Sequence, residues 1–279
     1  MDNKILTVII GKNSNFSILL NQSINDSILI STLSVEDELG LISFNEYDSI
    51  NIVFNQFQKS TMLYDLQEPL EYLNRSIIST SIVLEFIKKH NLKINKMIYT
   101  SSTSVYGNNT HCSEQDDLNP KSLHASLKIS NEKLIELYSK ENNINYSIAR
   151  VFNMYGGDDS FSIISKIIGA YKNNTEINLI NNGEAIRDFI FIEDAIFIYK
   201  KLLFEENTIK VLNIGTGIGK SVLFILDYLR KNGSDISFQS TCREELMVSI
   251  SDNKLLKEFI CDYSFTNVEE YIYSQLELS

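Results

Sequence analysis

The sequence predicts an α/β fold in which a doubly wound parallel β-sheet is covered by helices on both faces. Two observations predict it: short apolar runs alternate with helix-like stretches through the first half of the chain, and these runs are mainly apolar instead of strictly alternating between polar and apolar residues. Continuous runs indicate strands that are buried on both faces, as in parallel sheets. The 279 residues, 43% of them hydrophobic, are enough for one large domain or for one domain with a smaller lobe.

The predicted elements follow in chain order. Strands are expected at residues 5–10 (ILTVII), 27–32 (SILIST), 50–54 (INIVF), 96–100 (KMIYT) and 146–151 (YSIARV), with a weak candidate at residues 41–44. Helices are expected at residues 71–90, where apolar residues recur at helical spacing, and at residues 126–140. Ligands of such sheets bind outside the carboxyl ends of the strands. The candidate binding residues are therefore those just after each strand: Gly11, Ser31, Asn55, Ser102 and Asn153.

Charge and composition exclude several classes of function. The net charge is −11, from 25 basic and 36 acidic residues, so a basic footprint for nucleic acid is absent. No stretch approaches about eighteen uncharged apolar residues, so a membrane-spanning helix is not expected, and the first residues do not resemble a secretory signal. Cys112, Cys242 and Cys261 are far apart and odd in number. They suggest neither a disulfide framework nor a metal site, which favours a reducing, cytoplasmic location.

Five short segments carry a more specific prediction. In chain order they are TSSTSVYG (residues 100–107), NPKSLHASLK (119–128), RVFNMYG (150–156), GEAIRDF (183–189) and NIGTG (213–217). Each alone is a weak signal. Their order and spacing together resemble the extended short-chain dehydrogenase/reductase family, which comprises nucleotide-sugar epimerases, dehydratases and reductases. The resemblance runs from Ile5 to about Asp252.

This resemblance implies a Rossmann-type sheet that binds NAD or NADP and a smaller, interleaved C-terminal lobe that binds a nucleoside-diphosphate sugar. The dinucleotide-binding domain is expected to comprise residues 1–155 and about 184–216. The substrate lobe is expected to comprise about 156–183 and 217–279. The family often dimerises through a four-helix bundle, so a homodimer built from the helices at residues 71–90 and 126–140 is also expected.

The resemblance further implies a catalytic set of Ser102, His124 and Lys128. Members of the family transfer a hydride with the help of a Tyr-x-x-x-Lys pair, whose spacing of four places both side chains on one helix face. Ser102 matches the hydroxyl that steadies the sugar oxygen, and Lys128 matches the lysine that holds the nicotinamide ribose. His124 stands where the family has tyrosine. The neighbouring Lys128 ammonium should keep the imidazole neutral, and a neutral imidazole can accept a proton.

The turn after the first strand departs further from the family pattern. The family has Gly-x-x-Gly-x-x-Gly at this place, whereas the chain has Gly11, Ser14 and Ser17. The glycines normally permit a tight turn and a close approach to pyrophosphate at a helix N-terminus. The small residues that usually follow the strand at residues 50–54 are replaced by Asn55 and Gln56. These replacements predict a looser dinucleotide site.

The choice between NAD and NADP is also unusual. The acidic residue that the family uses for the adenosine ribose is absent at the end of the second strand, where Ser31 or Thr32 stands. This is less favourable to NAD, and it is compatible with NADP if a basic side chain lies nearby. Lys12 is the candidate for that role.

The substrate end keeps more of the family pattern. Asn153 matches the asparagine that contacts a substrate phosphate, and Arg187 matches the arginine that contacts the pyrophosphate, with Arg243 as a second candidate. A guanidinium can bind phosphate oxygens bidentately, which gives an acidic chain a local anion site. The structural alternative for Arg187 is an ion pair with Asp188 or Asp194.

The sequence therefore predicts an NAD(P)-dependent enzyme acting on a nucleoside-diphosphate sugar, as an epimerase or a ketosugar reductase. A 4,6-dehydratase is disfavoured because Thr103 and Ser104 follow Ser102, where that branch has an Asp-Glu pair. The alternative is a degenerate member of the family that binds a nucleotide sugar or a partner without hydride chemistry. The replacements at His124, Ser14 and Ser17 favour that alternative.

Overall fold

The computed structural model describes residues 3–56 and 67–277. Along the chain its strands are β1 (Ile5–Ile10), β2 (Ser27–Ile30), β3 (Ser49–Phe54), β4 (Ile94–Ser102), β5 (His111–Cys112), β6 (Asn145–Val151), β7 (Asn153–Tyr155), β8 (Ile177–Ile180), β9 (Ile186–Phe191), β10 (Val211–Ile214), β11 (Gly219–Ser221), β12 (Phe238–Thr241) and β13 (Val248–Ser251). Its helices are α1 (Asn15–Gln22), α2 (Val35–Gly40), α3 (Pro69–Leu73), α4 (Ser79–Lys89), α5 (Leu123–Glu141), α6 (Ile163–Asn173), α7 (Ile192–Phe204), α8 (Val222–Lys231), α9 (Lys254–Ile260) and α10 (Val268–Glu277).

The continuous apolar runs form a central sheet of six strands in the order β10-β6-β4-β3-β1-β2. β1 pairs in parallel with β2 and β3, and β3 pairs in parallel with β4. Every residue of β3 is buried, and in β1 only the first residue is partly exposed. Burial on both faces of the strands is what a parallel sheet between two helical layers requires. The predicted α/β fold with a parallel central sheet is confirmed.

The strand order places the candidate binding crevice. Numbered along the chain, the six strands of the sheet lie in the order 2-1-3-4-5-6, so the winding direction reverses between β1 and β3. The carboxyl ends of these two strands form the switch point at which open α/β sheets bind ligands. The weak strand predicted at residues 41–44 is wrong, because α2 and a 3₁₀ turn at Phe44–Glu46 occupy this connection. Leu41 is 84% exposed, and the partly buried Ile42 and Phe44 pack against the core of the central sheet without forming a strand.

The two long helices predicted from the sequence are present. α3 and α4 are joined by a π-helical turn at Asn74–Ile78, and α4 ends with Lys88 and Lys89, whose charges suit the negative end of a helix dipole. α5 starts at the N-cap Ser122, whose Oγ accepts a hydrogen bond from the Ala125 N–H at 3.2 Å. This cap fixes the register of α5 and hence the positions of the motif residues on it.

The chain divides into two compact units whose segments interleave. The first comprises the residues up to Gly107, Leu118–Arg150 and Tyr199–Leu212, and the second comprises Asn108–Asp117, Val151–Ile198 and the residues from Asn213 onward. The sequence predicts residues 1–155 and about 184–216 for the first unit. In the structure β9 pairs instead with β7, β11 and β13, so residues 184–198 lie in the second unit, and so do residues 108–117, 151–155 and 213–216. Residues 1–2, 57–66 and 278–279 of the predicted domains lie outside the described residues.

The second unit has a core of its own. Its larger sheet has the order β11-β9-β13-β5 with β7 added to β9, and its smaller sheet pairs β8 with β12. Helices α6, α8 and α10 contribute fully buried side chains to this core, among them Ile167, Ile225, Leu229 and Ile272.

Two whole-chain findings bear on function. No helix within residues 3–56 and 67–277 is long and apolar enough to cross a membrane. Within the same described ranges, no three side chains of His, Cys, Asp or Glu come together as a metal-binding group.

Candidate functional site

The turn after β1 requires glycine. Gly11 has a φ of +118°, and a Cβ at this position would lie 2.2 Å from the carbonyl oxygen of Asn55. The backbone that follows β1 therefore lies directly against the backbone that follows β3. This is the close approach that the first glycine of a dinucleotide-binding turn provides.

The two serines that stand in place of the missing glycines form side-chain hydrogen bonds that hold the turn. Ser14 caps α1, and its Oγ accepts a hydrogen bond from the Ser17 N–H at 3.0 Å. Asn55 Nδ2 donates to Ser14 Oγ at 3.1 Å and to Ser17 Oγ at 2.6 Å. Ser17 and Asn55 are fully buried, whereas Ser14 is only partly buried. The three departures noted in the sequence are thus one interlocked cluster that holds the turn, with Ser14 at its partly exposed edge.

We expect Asn55→Ala to lower the free energy of unfolding by about 1–3 kcal/mol, because the buried Ser17 hydroxyl and the partly buried Ser14 hydroxyl lose their donor. Ser14→Ala removes the cap and should cost about 1 kcal/mol. Asn13→Ala, at an exposed position of the same turn, is the matched control and should change stability by less than about 0.5 kcal/mol. Urea unfolding measures all three. Equal, small effects at positions 13 and 55 would contradict the cluster.

The donor set at this turn fits the phosphates of a dinucleotide. The positive end of α1, the Ser14 hydroxyl and the Lys12 ammonium lie at the turn, where phosphate oxygens need donors and positive charge. Asn55 Oδ1 is buried and has no hydrogen-bond partner among the described residues. A carboxylate that the sequence analysis missed, Glu38 of α2, accepts a hydrogen bond from Lys12 Nζ at 2.8 Å.

A buried lysine lies at the carboxyl ends of β3 and β4. Lys128, on α5, is 4% exposed. Its Nζ donates to the carbonyl oxygens of Gln56 at 2.9 Å and Thr100 at 2.8 Å. Burial lowers the pKa of Lys128 to about 7, although the nearby Glu132 carboxylate acts in the opposite direction. The structure therefore places an amine that titrates near neutrality at the predicted ligand edge of the sheet.

Gln56 holds the backbone that Lys128 contacts. Its Nε2 donates to Ser79 Oγ at 2.7 Å and to Thr80 Oγ1 at 2.9 Å, both on α4. These bonds tie the end of β3 to the helix, so the carbonyl oxygen of Gln56 has a fixed position. The sequence analysis saw Gln56 only as a departure from small residues.

His124 lies one helical turn before Lys128 on α5 and is partly buried. Burial, followed by the positive charge of Lys128, lowers its pKa from the usual 6.5 to about 4. The imidazole is therefore neutral at pH 7, as the sequence analysis expected. Ser102 is the last residue of β4, and its Oγ accepts a hydrogen bond from the Ser104 N–H at 3.2 Å.

An ion pair lies buried beside this set. Glu132, one turn after Lys128 on α5, accepts hydrogen bonds from Arg150 Nη2 at 2.8 Å and Nε at 3.2 Å. Both side chains are 5% exposed. Ser101 also donates to Glu132, and Arg150 donates to Tyr106 Oη at 3.0 Å. The sequence analysis missed Glu132, although its spacing of four from Lys128 places it on the same helix face.

The predicted substrate residues lie in the second unit. Asn153 Nδ2 donates to the Asp188 carbonyl oxygen at 3.1 Å, which joins β7 to β9. Arg187 Nη2 forms an ion pair with Glu245 Oε2 at 3.1 Å. The alternative partner Asp194 instead accepts hydrogen bonds from Tyr263 Oη and from the N–H of Thr266. The ion pair that the sequence analysis weighed therefore exists, with a different carboxylate.

The loop before β13, which carries Glu245, is also held by hydrogen bonds from Asn181. Asn181 Nδ2 donates to the Arg243 carbonyl oxygen at 2.6 Å and to Glu245 Oε1 at 3.1 Å. Arg243 is exposed. The structure thus brings the Arg187 guanidinium and the loop that carries Arg243 together through Asn181 and Glu245, and sequence spacing gave no signal for either of these two linking residues.

Asp188 is the centre of a second buried network. Its carboxylate accepts hydrogen bonds from the N–H and Oγ1 of Thr216 at 2.8 and 2.7 Å, from the Gly217 N–H at 2.9 Å, and from the N–H and Oγ of Ser251 at 3.1 and 2.6 Å. This explains why the NIGTG segment accompanies the RDF segment. Asp188 is completely buried and joins β9, the turn after β10 and β13.

Comparison with known proteins identifies the family of this chain. The pattern of the NAD dependent epimerase/dehydratase family matches residues 21–215. Protein CapI of Staphylococcus aureus is 30% identical over 172 residues, which cover 60% of this chain and 50% of that protein. A UDP-glucose 4-epimerase of Mycoplasma genitalium is 26% identical over 258 residues, covering 82% of this chain and 74% of that protein. The chain spans about half the length of several of its curated relatives.

A solved structure shares the fold. The UDP-glucuronic acid 4-epimerase of Bacillus cereus, in complex with UDP-glucuronic acid and NAD, superimposes with a TM-score of 0.81 at 20% identity. The match covers 98% of this chain and 99% of that chain.

Proposed function

This chain belongs to the NAD dependent epimerase/dehydratase family, and we propose that it is an NAD-dependent enzyme that acts on a nucleoside-diphosphate sugar, as an epimerase or a ketosugar reductase. The observation that carries the proposal is the buried Lys128 amine, held by backbone carbonyls at the ends of β3 and β4. The names of the relatives support the substrate class, since one is a UDP-glucose 4-epimerase and another binds UDP-glucuronic acid and NAD.

The residues that would hold NAD are those of the first turn and of α5. The Gly11 turn, Ser14 and the N-terminus of α1 offer donors to the phosphates, and Lys128 offers its amine to the nicotinamide ribose. Ser31, the first residue after β2, would lie near the adenosine ribose. Bound NAD would supply the hydride acceptor for the oxidation of a sugar carbon.

His124 is the residue that accepts the proton released together with the hydride. Its neutral imidazole accepts a proton from the sugar hydroxyl as that carbon becomes a carbonyl. Ser102 donates a hydrogen bond to the same sugar oxygen and orients it. Lys128, one turn along the helix, holds the imidazole in its neutral form through its positive charge.

The diphosphate of the substrate would be bound in the second unit. Arg187, Arg243 and Asn153 supply two guanidiniums and an amide for its oxygens. Glu245 balances the Arg187 charge at 3.1 Å. An incoming diphosphate competes with this carboxylate for the guanidinium, so Glu245 sets how tightly anions are bound.

We expect kcat/KM to be highest between about pH 4 and pH 7. Below the His124 pKa of about 4 the imidazole is protonated and cannot accept a proton. Above the Lys128 pKa of about 7 the amine loses the positive charge with which it would hold the ribose. A pH profile measured with a nucleoside-diphosphate sugar tests this. An acid limb near 6.5, as for an ordinary histidine, would contradict the assigned environment.

The experiment that tests the function is a cofactor and substrate trial. The purified protein is denatured, any released dinucleotide is identified by mass, and turnover of UDP-, GDP- and dTDP-sugars is followed for the wild type, His124→Ala and His124→Tyr. Loss of turnover in His124→Ala supports the proposal. Unchanged turnover removes His124 from the mechanism, and a large gain in His124→Tyr indicates a lapsed site. Sugar-nucleotide binding without any dinucleotide would favour the binding-protein alternative.

Two further parts of the proposal concern the setting of the enzyme. We extend it to a homodimer through the helices α3–α4 and α5, as the family resemblance implies. We also extend it to a cytoplasmic location, since Cys112, Cys242 and Cys261, which all lie in the described part of the chain, form no disulfide there, as suits a reducing compartment.

A further inference from the structure

We infer that Glu38, a helix residue outside the usual sequence position, supplies the carboxylate that selects NAD over NADP; this inference rests on the proposed function. β2 ends at Ile30, and the next backbone N–H, of Ser31, donates to Glu38 Oε2 at 3.1 Å. Glu38 Oε1 accepts hydrogen bonds from Lys12 Nζ at 2.8 Å and from Ser34 Oγ at 2.6 Å. The carboxylate is thus fixed at the end of β2.

The short connection between β2 and β3 explains how a helix residue reaches this place. α2 starts only a few residues after β2, and its buried Val35 and Leu39 anchor it against the sheet. Glu38 lies between these anchors in the helical repeat, and its side chain folds back onto Ser31.

The charges at this place oppose a 2′-phosphate. Lys12, the candidate for that phosphate, has its charge balanced by Glu38, and the two side chains are 40% and 23% exposed. Partial burial alone would raise the pKa of Glu38, but hydrogen bonds from Lys12, Ser34 and Ser31 hold it below its usual value, so the group is ionised at pH 7. An ionised carboxylate accepts a hydrogen bond from a ribose 2′-hydroxyl and repels a phosphate.

The lone pairs of Glu38 leave room for this contact. Oε2 accepts one hydrogen bond, from Ser31, and a carboxylate oxygen has two acceptor positions. The ion pair with Lys12 and the bond from Ser34 both go to Oε1. A ribose hydroxyl can therefore be accepted by Oε2 while the bonds that fix the side chain stay in place.

The test measures the binding of NADH and NADPH to the wild type, Glu38→Gln and Glu36→Gln. Nicotinamide fluorescence is the readout. Glu36 is an exposed residue of the same helix, and its substitution makes the same charge change. We expect the wild type to prefer NADH, and Glu38→Gln to lose about 10-fold or more in NADH affinity while gaining affinity for NADPH. Glu36→Gln should leave both affinities unchanged.

A double variant adds an independent arm. In Glu38→Gln the Lys12 ammonium is released to a 2′-phosphate, so adding Lys12→Met should remove the gain in NADPH affinity. Binding of NADH and NADPH that is the same in Glu38→Gln and the wild type overturns the inference and leaves the proposed function standing. A wild type that binds neither dinucleotide overturns both.

Discussion

Glu132→Ala is expected to lower the free energy of unfolding by about 3–5 kcal/mol, the larger of the stability effects predicted for this chain. The substitution leaves the Arg150 guanidinium charged, 5% exposed and without its carboxylate partner. It also removes the acceptor of the Ser101 hydroxyl. Burying an uncompensated charge is costly because the interior cannot solvate it. Urea unfolding at pH 7 measures this change in the free energy of unfolding.

The same helix offers a matched control. Glu136 pairs with Lys133 at 2.8 Å and Lys140 at 2.6 Å, and the two lysine side chains are 66% and 62% exposed. Glu136→Ala should cost no more than about 1 kcal/mol, since exposed ion pairs contribute little. The double variant Glu132→Met/Arg150→Met should be more stable than Glu132→Ala, because no charge is left buried. Equal losses at positions 132 and 136 would refute the buried-pair interpretation.

Lys128→Met is expected to reduce turnover by about 100- to 10,000-fold, the range that proton transfer contributes, because His124 loses the neighbouring charge that lowers its pKa and the nicotinamide ribose loses its amine. The variant keeps the length of the side chain but cannot donate to the Gln56 and Thr100 carbonyl oxygens or carry a charge. The free energy of unfolding should fall less than in Glu132→Ala, because the cost of burying an amine disappears together with its hydrogen bonds. Steady-state kinetics and urea unfolding separate the two effects.

The pH dependence of stability provides a readout without any substrate. The Lys128 pKa is about 7 in the folded chain, against an ordinary value of 10.5. Between these values the unfolded chain binds the extra proton, so the free energy of unfolding gains a contribution that rises from pH 7 to about pH 10. Lys128→Met should lack this rise. A variant with the wild-type pH dependence would show that Lys128 is not the buried amine described above.

The elements predicted correctly are those with a strong local signal. The apolar runs of β1, β3 and β4 bury almost every residue, so continuous hydrophobicity sufficed to predict a parallel sheet. Ser102, His124 and Lys128 could be proposed as site residues because a motif fixes their spacing on one strand end and one helix. The strand predicted at residues 41–44 is wrong, since a run of four apolar or small residues does not indicate whether a neighbouring strand is available for pairing.

The missed residues are carboxylates whose roles depend on partners distant in sequence. Glu38 is one of three consecutive acidic residues in α2, and nothing local distinguishes it from Glu36 or Asp37. Only the fold brings Lys12 to it, and only the fold brings Arg187 to Glu245. Pairing between side chains that are tens of residues apart in the sequence depends on the tertiary fold, so single-sequence patterns cannot assign it.

The Asp188 network has a consequence for biosynthesis. Its partners Thr216 and Ser251 follow 28 and 63 residues later, so a nascent chain that has just exposed Asp188 at the ribosome holds an unpaired carboxylate and an incomplete sheet. β6 likewise waits for β10 as its neighbour. Unpaired strand edges favour aggregation during synthesis. The sheet that contains β9 can therefore be completed only after Ser251 has emerged.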